Sequence, residues 1–141
     1  MSGEREGFVW SDAWLLQAIV YAAREGPPRL SDVIAHGDAI EHAIFTHAEF
    51  SGGVSRLVAA GYTTLKAGKL LPTSSGSALV ASASPEAPVL EVQAAVGRAL
   101  SARTHPAQAP PELNPIVPAR MFEEAVAAYH ARFSAAPEGG T

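Results

Sequence analysis

The sequence predicts a mainly helical fold with one small antiparallel β-hairpin, and three observations support this class. Apolar residues recur every three to four positions in several segments, and most of these segments follow residues that commonly cap helices. The segment 62–71 instead combines short β-favouring runs around a central glycine. Apolar residues make up 48% of the 141 positions, which is enough to build the core of one domain.

The first predicted helix begins at Ser11 and ends before Gly26. Ser11 is the expected N-cap, and Asp12 lies in the first turn, where the helix dipole favours a carboxylate. Trp10 and Trp14 are interpreted as core or interface anchors. Apolar residues then cover most sides of the segment, which is typical of a helix at the centre of a core or in an oligomer interface.

Three further helices are predicted between the first helix and the hairpin. Ser31 caps a short helix that Gly37 stops, and Asp38–Phe45 forms another turn or two. The sequence Thr46-His47-Ala48-Glu49 fits a capping box. It opens a helix whose apolar stripe ends before a glycine; the stripe consists of Phe50, Val54, Leu57 and Val58. This is the best-defined helix in the chain.

The pair Gly52-Gly53 inside that helix predicts a close neighbour, because each glycine costs about 1 kcal/mol relative to alanine. DNA backbone, another helix and a partner chain are the alternatives for this neighbour, and a kinked or frayed helix is the other interpretation. The hairpin then pairs Tyr62–Leu65 with Leu70–Leu71 around a turn whose positive φ is supplied by Gly68.

The second half of the chain is predicted to hold three helices and a linker. Thr73 opens a short helix through Val80, and Ser84-Pro85-Glu86 begins the next, at about 85–104. Five prolines within 105–118 predict an extended strap or linker. The last helix covers about 118–133. These last two helices have apolar faces that need a partner. We expect the helices to fold back on the first helix or to form a homodimer through the N-terminal and C-terminal helices.

Two segments carry a resemblance to a known family. Residues 54–62 (VSRLVAAGY) and 69–79 (KLLPTSSGSAL) resemble the recognition helix, wing and following helix of winged helix-turn-helix regulators of the MarR and PadR type. The resemblance implies a winged-helix domain at 8–83, with a C-terminal helical extension at 84–134 and tails at 1–7 and 135–141. It also implies a DNA-binding transcriptional regulator.

In such regulators the capped helix lies in the major groove and the wing touches the phosphate backbone. The resemblance therefore assigns Ser55 and Arg56 to DNA bases and Lys66 and Lys69 to phosphates. The chain as a whole has a formal charge of −4, and only the segment 46–70 is basic, with three basic residues against one acidic residue. The residues opposite the apolar stripe offer few donors for base readout. The alternative is a winged-helix protein-interaction module that does not bind DNA.

The spacing before the capped helix also departs from a tight helix-turn-helix, whose turn has about 3–4 residues. Residues Gly37–Phe45 separate the Ser31-capped helix from Thr46. Either Asp38–Phe45 is itself the first helix of the motif, or an insertion has changed its docking geometry.

Other kinds of site have little support in the sequence. His36, Asp38 and His42 are candidates for a metal site, but a solvated polar surface is the preferred interpretation, because no dedicated ligand spacing is present. No nucleophile and base occur at a recognisable spacing, so neither catalysis nor a cofactor is expected. The absence of cysteine, of a signal-peptide pattern and of a long apolar run predicts a cytoplasmic protein without a membrane span.

Overall fold

The computed structural model describes residues 5–83, 86–106 and 117–135, and these form a mainly helical fold with short antiparallel β-pairs. The predicted class, helical with a small hairpin, is confirmed. The helices and strands are, in chain order, β1 (Arg5–Gly7), α1 (Trp10–Ala23), α2 (Leu30–Glu41), α3 (His47–Ala59), β2 (Thr63–Lys66), β3 (Lys69–Pro72), α4 (Ser74–Ala81), α5 (Val89–Ser101), β4 (Thr104–Pro106) and α6 (Ala119–Ala135). Within the described ranges, no helix is both long and apolar enough to cross a lipid bilayer.

The central helix is α1, which is buried on nearly every side, as its apolar composition predicts. It contacts α2, α3, α4, α5 and β3. The predicted cap at Ser11 is wrong: the N-cap is Val9, whose backbone N–H donates to the Asp12 carboxylate at 3.0 Å. Ser11 lies in the first turn and is buried. Asp12, at the third position of the helix, accepts from the N-cap amide, which has no partner within the helix.

Helix α2 is continuous through Gly37, so the prediction of two short helices separated by this glycine is wrong. Arg29, and not Ser31, is the N-cap, and its backbone N–H donates to Asp32 at 2.9 Å. Gly37 is needed for packing: its carbonyl accepts from the Trp14 indole at 2.9 Å, and a Cβ there would overlap the Phe45 ring. The helix ends at His42, whose φ of 58° is left-handed.

The connection between α2 and α3 is consequently short, at residues 42–46. Because α2 runs through Gly37, residues 38–41 belong to α2 and are neither a separate helix nor an insertion. Both alternatives for the Gly37–Phe45 segment are therefore wrong. The predicted capping box of α3 is confirmed. Glu49 N–H donates to Thr46 Oγ1 at 3.1 Å, and Thr46 N–H donates to Glu49 Oε1 at 2.9 Å.

The predicted hairpin is also confirmed, with Thr63–Lys66 paired to Lys69–Pro72. Both residues of its two-residue turn have positive φ, 52° at Ala67 and 75° at Gly68, as a type I′ turn requires. A third segment extends the pair: Leu70 N–H donates to the Pro28 carbonyl at 3.0 Å, and Arg29 forms an isolated bridge with Lys69. The segment before α2 therefore lies along β3.

The C-terminal helices fold back on the rest of the chain, α5 on α1 and α6 on α2. Val92, Val96 and Leu100 are buried, whereas Val89, placed in the same stripe by the sequence, is 41% exposed because it begins the helix. Of the predicted helix start at Ser84-Pro85-Glu86, residues 84 and 85 lie outside the described part of the chain, and α5 begins at Val89.

The proline-rich segment contributes a short strand that the sequence did not predict. Thr104–Pro106 pairs with Arg5–Gly7, which the sequence assigned to the N-terminal tail. Residues 107–116 of the predicted strap lie outside the described ranges. On the far side of them, Val117 is fully buried and its carbonyl accepts from His47 Nε2 at 2.6 Å.

Polar contacts of Tyr129 and Arg132 hold α6 against α2. The Tyr129 hydroxyl donates to Asp38 Oδ2 at 2.5 Å, and Arg132 donates to Asp32 Oδ1 at 3.1 Å. Burial together with the Asp38 carboxylate raises the pKa of Tyr129 to about 12. Although desolvation by burial opposes it, the Arg29 amide and the charges of Arg29 and Arg132 hold the pKa of Asp32 below its ordinary value.

Candidate nucleic-acid interface

The exposed side of α3 carries mostly small residues and one half-buried carboxylate, that of Glu49, which accepts from the Thr46 amide. The opposite side packs into the core through the predicted stripe, Phe50, Val54, Leu57 and Val58. Ala48 is exposed, and Ser51, Gly52, Ser55 and Ala59 are half-buried around it. Ser55, one of the two predicted base contacts, therefore lies on the side of α3 that faces away from the core.

Arg56, the second predicted base contact, is engaged inside the fold. Its Nε donates to Asp12 Oδ2 at 2.8 Å and its Nη2 donates to Asp12 Oδ1 at 3.0 Å. The Asp12 side chain is completely buried, and the Arg56 side chain is 25% exposed. This bidentate pair neutralises both charges and fixes the guanidinium plane. In this arrangement Arg56 joins α3 to the start of α1, and it adds no net positive charge to the α3 surface.

The two glycines of α3 explain how the pair is accommodated. A Cβ at Gly53 would lie 2.6 Å from Leu15 Cδ2 and 3.1 Å from Asp12 Oδ1, so only glycine lets α1 approach this closely. A Cβ at Gly52 would lie 3.1 Å from Arg56 Nη1. The close neighbour predicted from this glycine pair is therefore confirmed at Gly53, and it is another helix of the same chain.

The predicted phosphate contacts lie together on the hairpin with a third cation. Lys66 and Lys69 are direct cross-strand partners, and Lys69 is also the bridge partner of Arg29. Residues directly opposite each other in an antiparallel pair project from the same face. Arg29, Lys69 and Lys66 thus form one line across the small sheet, which we call the basic row. Its two end members are exposed, and Lys69 is half-buried.

Within the described ranges, one acidic residue forms an ion pair with the basic row. The Arg29 Nε lies 3.5 Å from Asp32 Oδ2, with 65% of the Arg29 side chain exposed. Asp32 is shared with Arg132 of α6, so two arginines surround this one carboxylate. No ion pair within the described ranges involves Lys66 or Lys69. The row therefore retains a local excess of positive charge.

The three candidate metal ligands, His36, Asp38 and His42, each have a different environment. His36 lies 3.8 Å from a Glu25 carboxylate oxygen, Asp38 accepts from Tyr129, and His42 ends α2 at an exposed position. In the part of the chain that the structure describes, no group of three metal-ligating side chains comes together. The structure gives no geometry for a metal at these residues.

Two residues that matter to this surface were missed by sequence reasoning. Asp12 could have been found, because a carboxylate inside a helix that is apolar on most sides needs a buried partner. Nothing in the sequence around Arg29 indicates that it lies beside Lys69. This position depends on an isolated bridge between distant segments, and a bridge this short has no recognisable sequence pattern.

Comparisons with known proteins add no further assignment. Neither the protein-family models, nor the curated proteins, nor the solved structures contain a significant match to this chain. The functional argument therefore depends on the geometry of the surface itself.

Proposed function

We propose that this chain is a winged-helix DNA-binding protein that acts as a transcriptional regulator and contacts DNA mainly through phosphates. The observation that carries the proposal is the basic row, in which Lys66 and Lys69 of the hairpin lie side by side with Arg29 of the bridged segment. Phosphate contacts of this kind supply most of the affinity of non-specific DNA binding.

The order of elements supports the winged-helix part of the proposal. A short strand segment at 28–29 precedes α2, α3 follows after a short connection, and the hairpin β2–β3 comes next and pairs with that segment. In a winged helix the hairpin is the wing and α3 is the recognition helix. The basic row then lies on the wing, where contact with the DNA backbone is expected.

The composition of α3 determines what kind of recognition is expected. Its exposed side presents serine hydroxyls and small apolar residues, and its arginine is paired with Asp12. Strong base discrimination normally comes from bidentate contacts of Arg, Asn or Gln. We therefore expect modest sequence preference, with Ser55 contributing to it and the basic row contributing most of the affinity.

Charge reversal on the wing tests this proposal. In the double variant Lys66→Glu/Lys69→Glu, binding to a fluorescent DNA duplex is expected to weaken by more than about tenfold at low salt, because two phosphate contacts become repulsive. The slope of log K against log salt is expected to become shallower by about 2, one for each lost contact. Fluorescence anisotropy measures both quantities.

The matched control is Arg103→Glu/Arg120→Glu, which changes the net charge equally. Arg103 follows α5 and Arg120 is 89% exposed at the start of α6, so neither belongs to the hairpin. The control variant should keep the wild-type slope. Equal losses in the two double variants would mean that only overall charge matters, and the wing would have no specific role.

A protein-interaction module is the second candidate, and it is favoured by the surface of α3, whose arginine is paired with Asp12 and whose other charged group is the Glu49 carboxylate. A wild-type protein that shows no DNA binding at low salt, while keeping its fold, would support this second function. The exposed side of α3 would then be the surface to test, by replacing Ala48 with arginine and measuring the loss of partner binding.

A further inference from the structure

The exposed side of α5, together with the start of α1, is a second surface with no role in the proposed DNA contact. Three large apolar side chains are exposed here: Val9 at 48%, Trp10 at 62% and Leu90 at 58%. A groove of about 470 Å³ lies beside Val9 and Trp10, between residues 8–10 and the C-terminal half of α5. An exposed apolar patch next to a groove is characteristic of an interaction surface.

Trp10 has a stacking partner on this surface. Its ring stacks on the buried Trp14 ring, with centroids 5.7 Å apart and planes within 5°. A side chain that is already fixed loses little conformational entropy when a partner covers it. Large rigid aromatic residues of this kind are common anchors in protein interfaces.

The arrangement of side chains on α5 indicates what covers the surface. At about 100° per residue, the exposed ridge of α5 is centred on Ala94. Leu90, Gly97 and Ser101 fall on one flank of this ridge, and Glu91 and Arg98 fall on the other. On α5 the groove is lined by Ala94, Gly97, Arg98, Leu100 and Ser101. The small side chain of Ala94 at the centre allows another helix to approach closely.

These positions are self-complementary under a two-fold rotation. In an antiparallel pair of α5 helices crossing at Ala94 and Ala95, Glu91 of each copy faces Arg98 of the other. The same rotation brings Leu90 of each copy, on its own flank, to the groove beside Trp10 of the other. Neither Glu91 nor Arg98 forms an ion pair within the described part of the chain.

We propose that this surface, formed by residues 8–10 and the exposed side of α5, binds a second copy of the chain as an isologous dimer with antiparallel α5 helices. One symmetry operation covers the exposed apolar residues, fills the groove and pairs both free charges. In an isologous dimer the same surface of each copy must supply both partners of every contact. This surface supplies both Glu91 and Arg98, and both Leu90 and the groove. The inference does not depend on DNA binding.

The first test is sedimentation velocity over a concentration series from about 1 to 200 μM, the range in which a modest interface dimerises. The wild type is expected to dimerise, and acrylamide quenching of Trp10 is expected to fall as the dimer forms. In Ala94→Arg, a large charged side chain blocks the helix crossing and the protein should stay monomeric. Ala127→Arg, the same change at an exposed position of α6, is the matched control and should dimerise as the wild type does.

A charge swap decides the orientation. Glu91→Arg and Arg98→Glu are each expected to weaken the dimer by about tenfold, because like charges then face each other across the two-fold axis. The double variant Glu91→Arg/Arg98→Glu restores opposite charges and should recover the wild-type dissociation constant within about threefold. A wild type that is monomeric at the highest concentration would overturn the proposal. So would an Ala94→Arg variant that still dimerises, or a double variant that is weaker than both single variants.

Discussion

Replacement of Arg56 by alanine is expected to lower the free energy of unfolding by about 3–5 kcal/mol, the typical cost of removing one partner of a buried ion pair. The Asp12 carboxylate is fully buried and accepts two hydrogen bonds from Arg56 and one from the Val9 amide. Without Arg56 it keeps only the amide contact, and the charge is left uncompensated. Urea unfolding at neutral pH, followed by circular dichroism, measures the change.

Arg120→Ala is the control for this experiment, because the Arg120–Glu124 pair is largely exposed. Its expected cost is less than about 1 kcal/mol. A second variant, Asp12→Asn/Arg56→Met, removes both charges while keeping a polar acceptor for Val9. It should be more stable than Arg56→Ala, because no unpaired charge is buried. An Arg56→Ala protein that keeps its stability but loses DNA affinity would contradict the structural role and favour the base contact implied by the family resemblance.

Replacement of Gly76 by alanine is expected to lower the free energy of unfolding by about 2–3 kcal/mol. Gly76 lies in the first turn of α4, and a Cβ at this position would collide with the backbone carbonyl oxygen of Tyr62. A backbone atom at the junction of α3 and β2 cannot rotate away as a side chain can, so the helix itself must shift. The clash outweighs the gain of about 1 kcal/mol that alanine gives in a helix.

Ser75→Ala, at the exposed neighbouring position of α4, is the matched control for Gly76→Ala. It removes a hydroxyl without adding a Cβ and should change stability by less than about 0.5 kcal/mol. Thermal unfolding of the three proteins under identical conditions gives the comparison. Equal stability of the wild type and Gly76→Ala would show that α4 does not pack against the Tyr62 carbonyl as described.

The parts of the fold that sequence predicts best are those fixed by local chemistry. The Thr46–Glu49 capping box and the Gly68 turn depend on residues within a few positions of each other, and both are confirmed. Gly37 shows where local reasoning fails. Glycine is a frequent helix stop, but here contacts with Trp14 and Phe45 keep it inside α2. No pattern within the helix itself carries that information.

The candidate interface also divides into residues that local sequence predicts and residues that depend on long-range contacts. Lys66 and Lys69 could be assigned from the hairpin alone, since a two-residue turn fixes their pairing. Arg29 joins them only through a bridge between distant segments. The family resemblance assigns Arg56 to DNA bases, whereas its partner Asp12 lies 44 residues earlier in the chain. Long-range pairing therefore decides which cations are available at the surface.

The central claim, that the basic row contacts DNA phosphates, is tested most directly by anisotropy of the wild-type protein with a random-sequence duplex at about 50 and 200 mM salt. Three phosphate contacts predict a slope of log K against log salt of about −2.7, which weakens binding by more than about tenfold over this interval. Binding with that salt dependence would support a phosphate-contacting wing. No binding at the lower salt concentration would contradict the DNA-binding function.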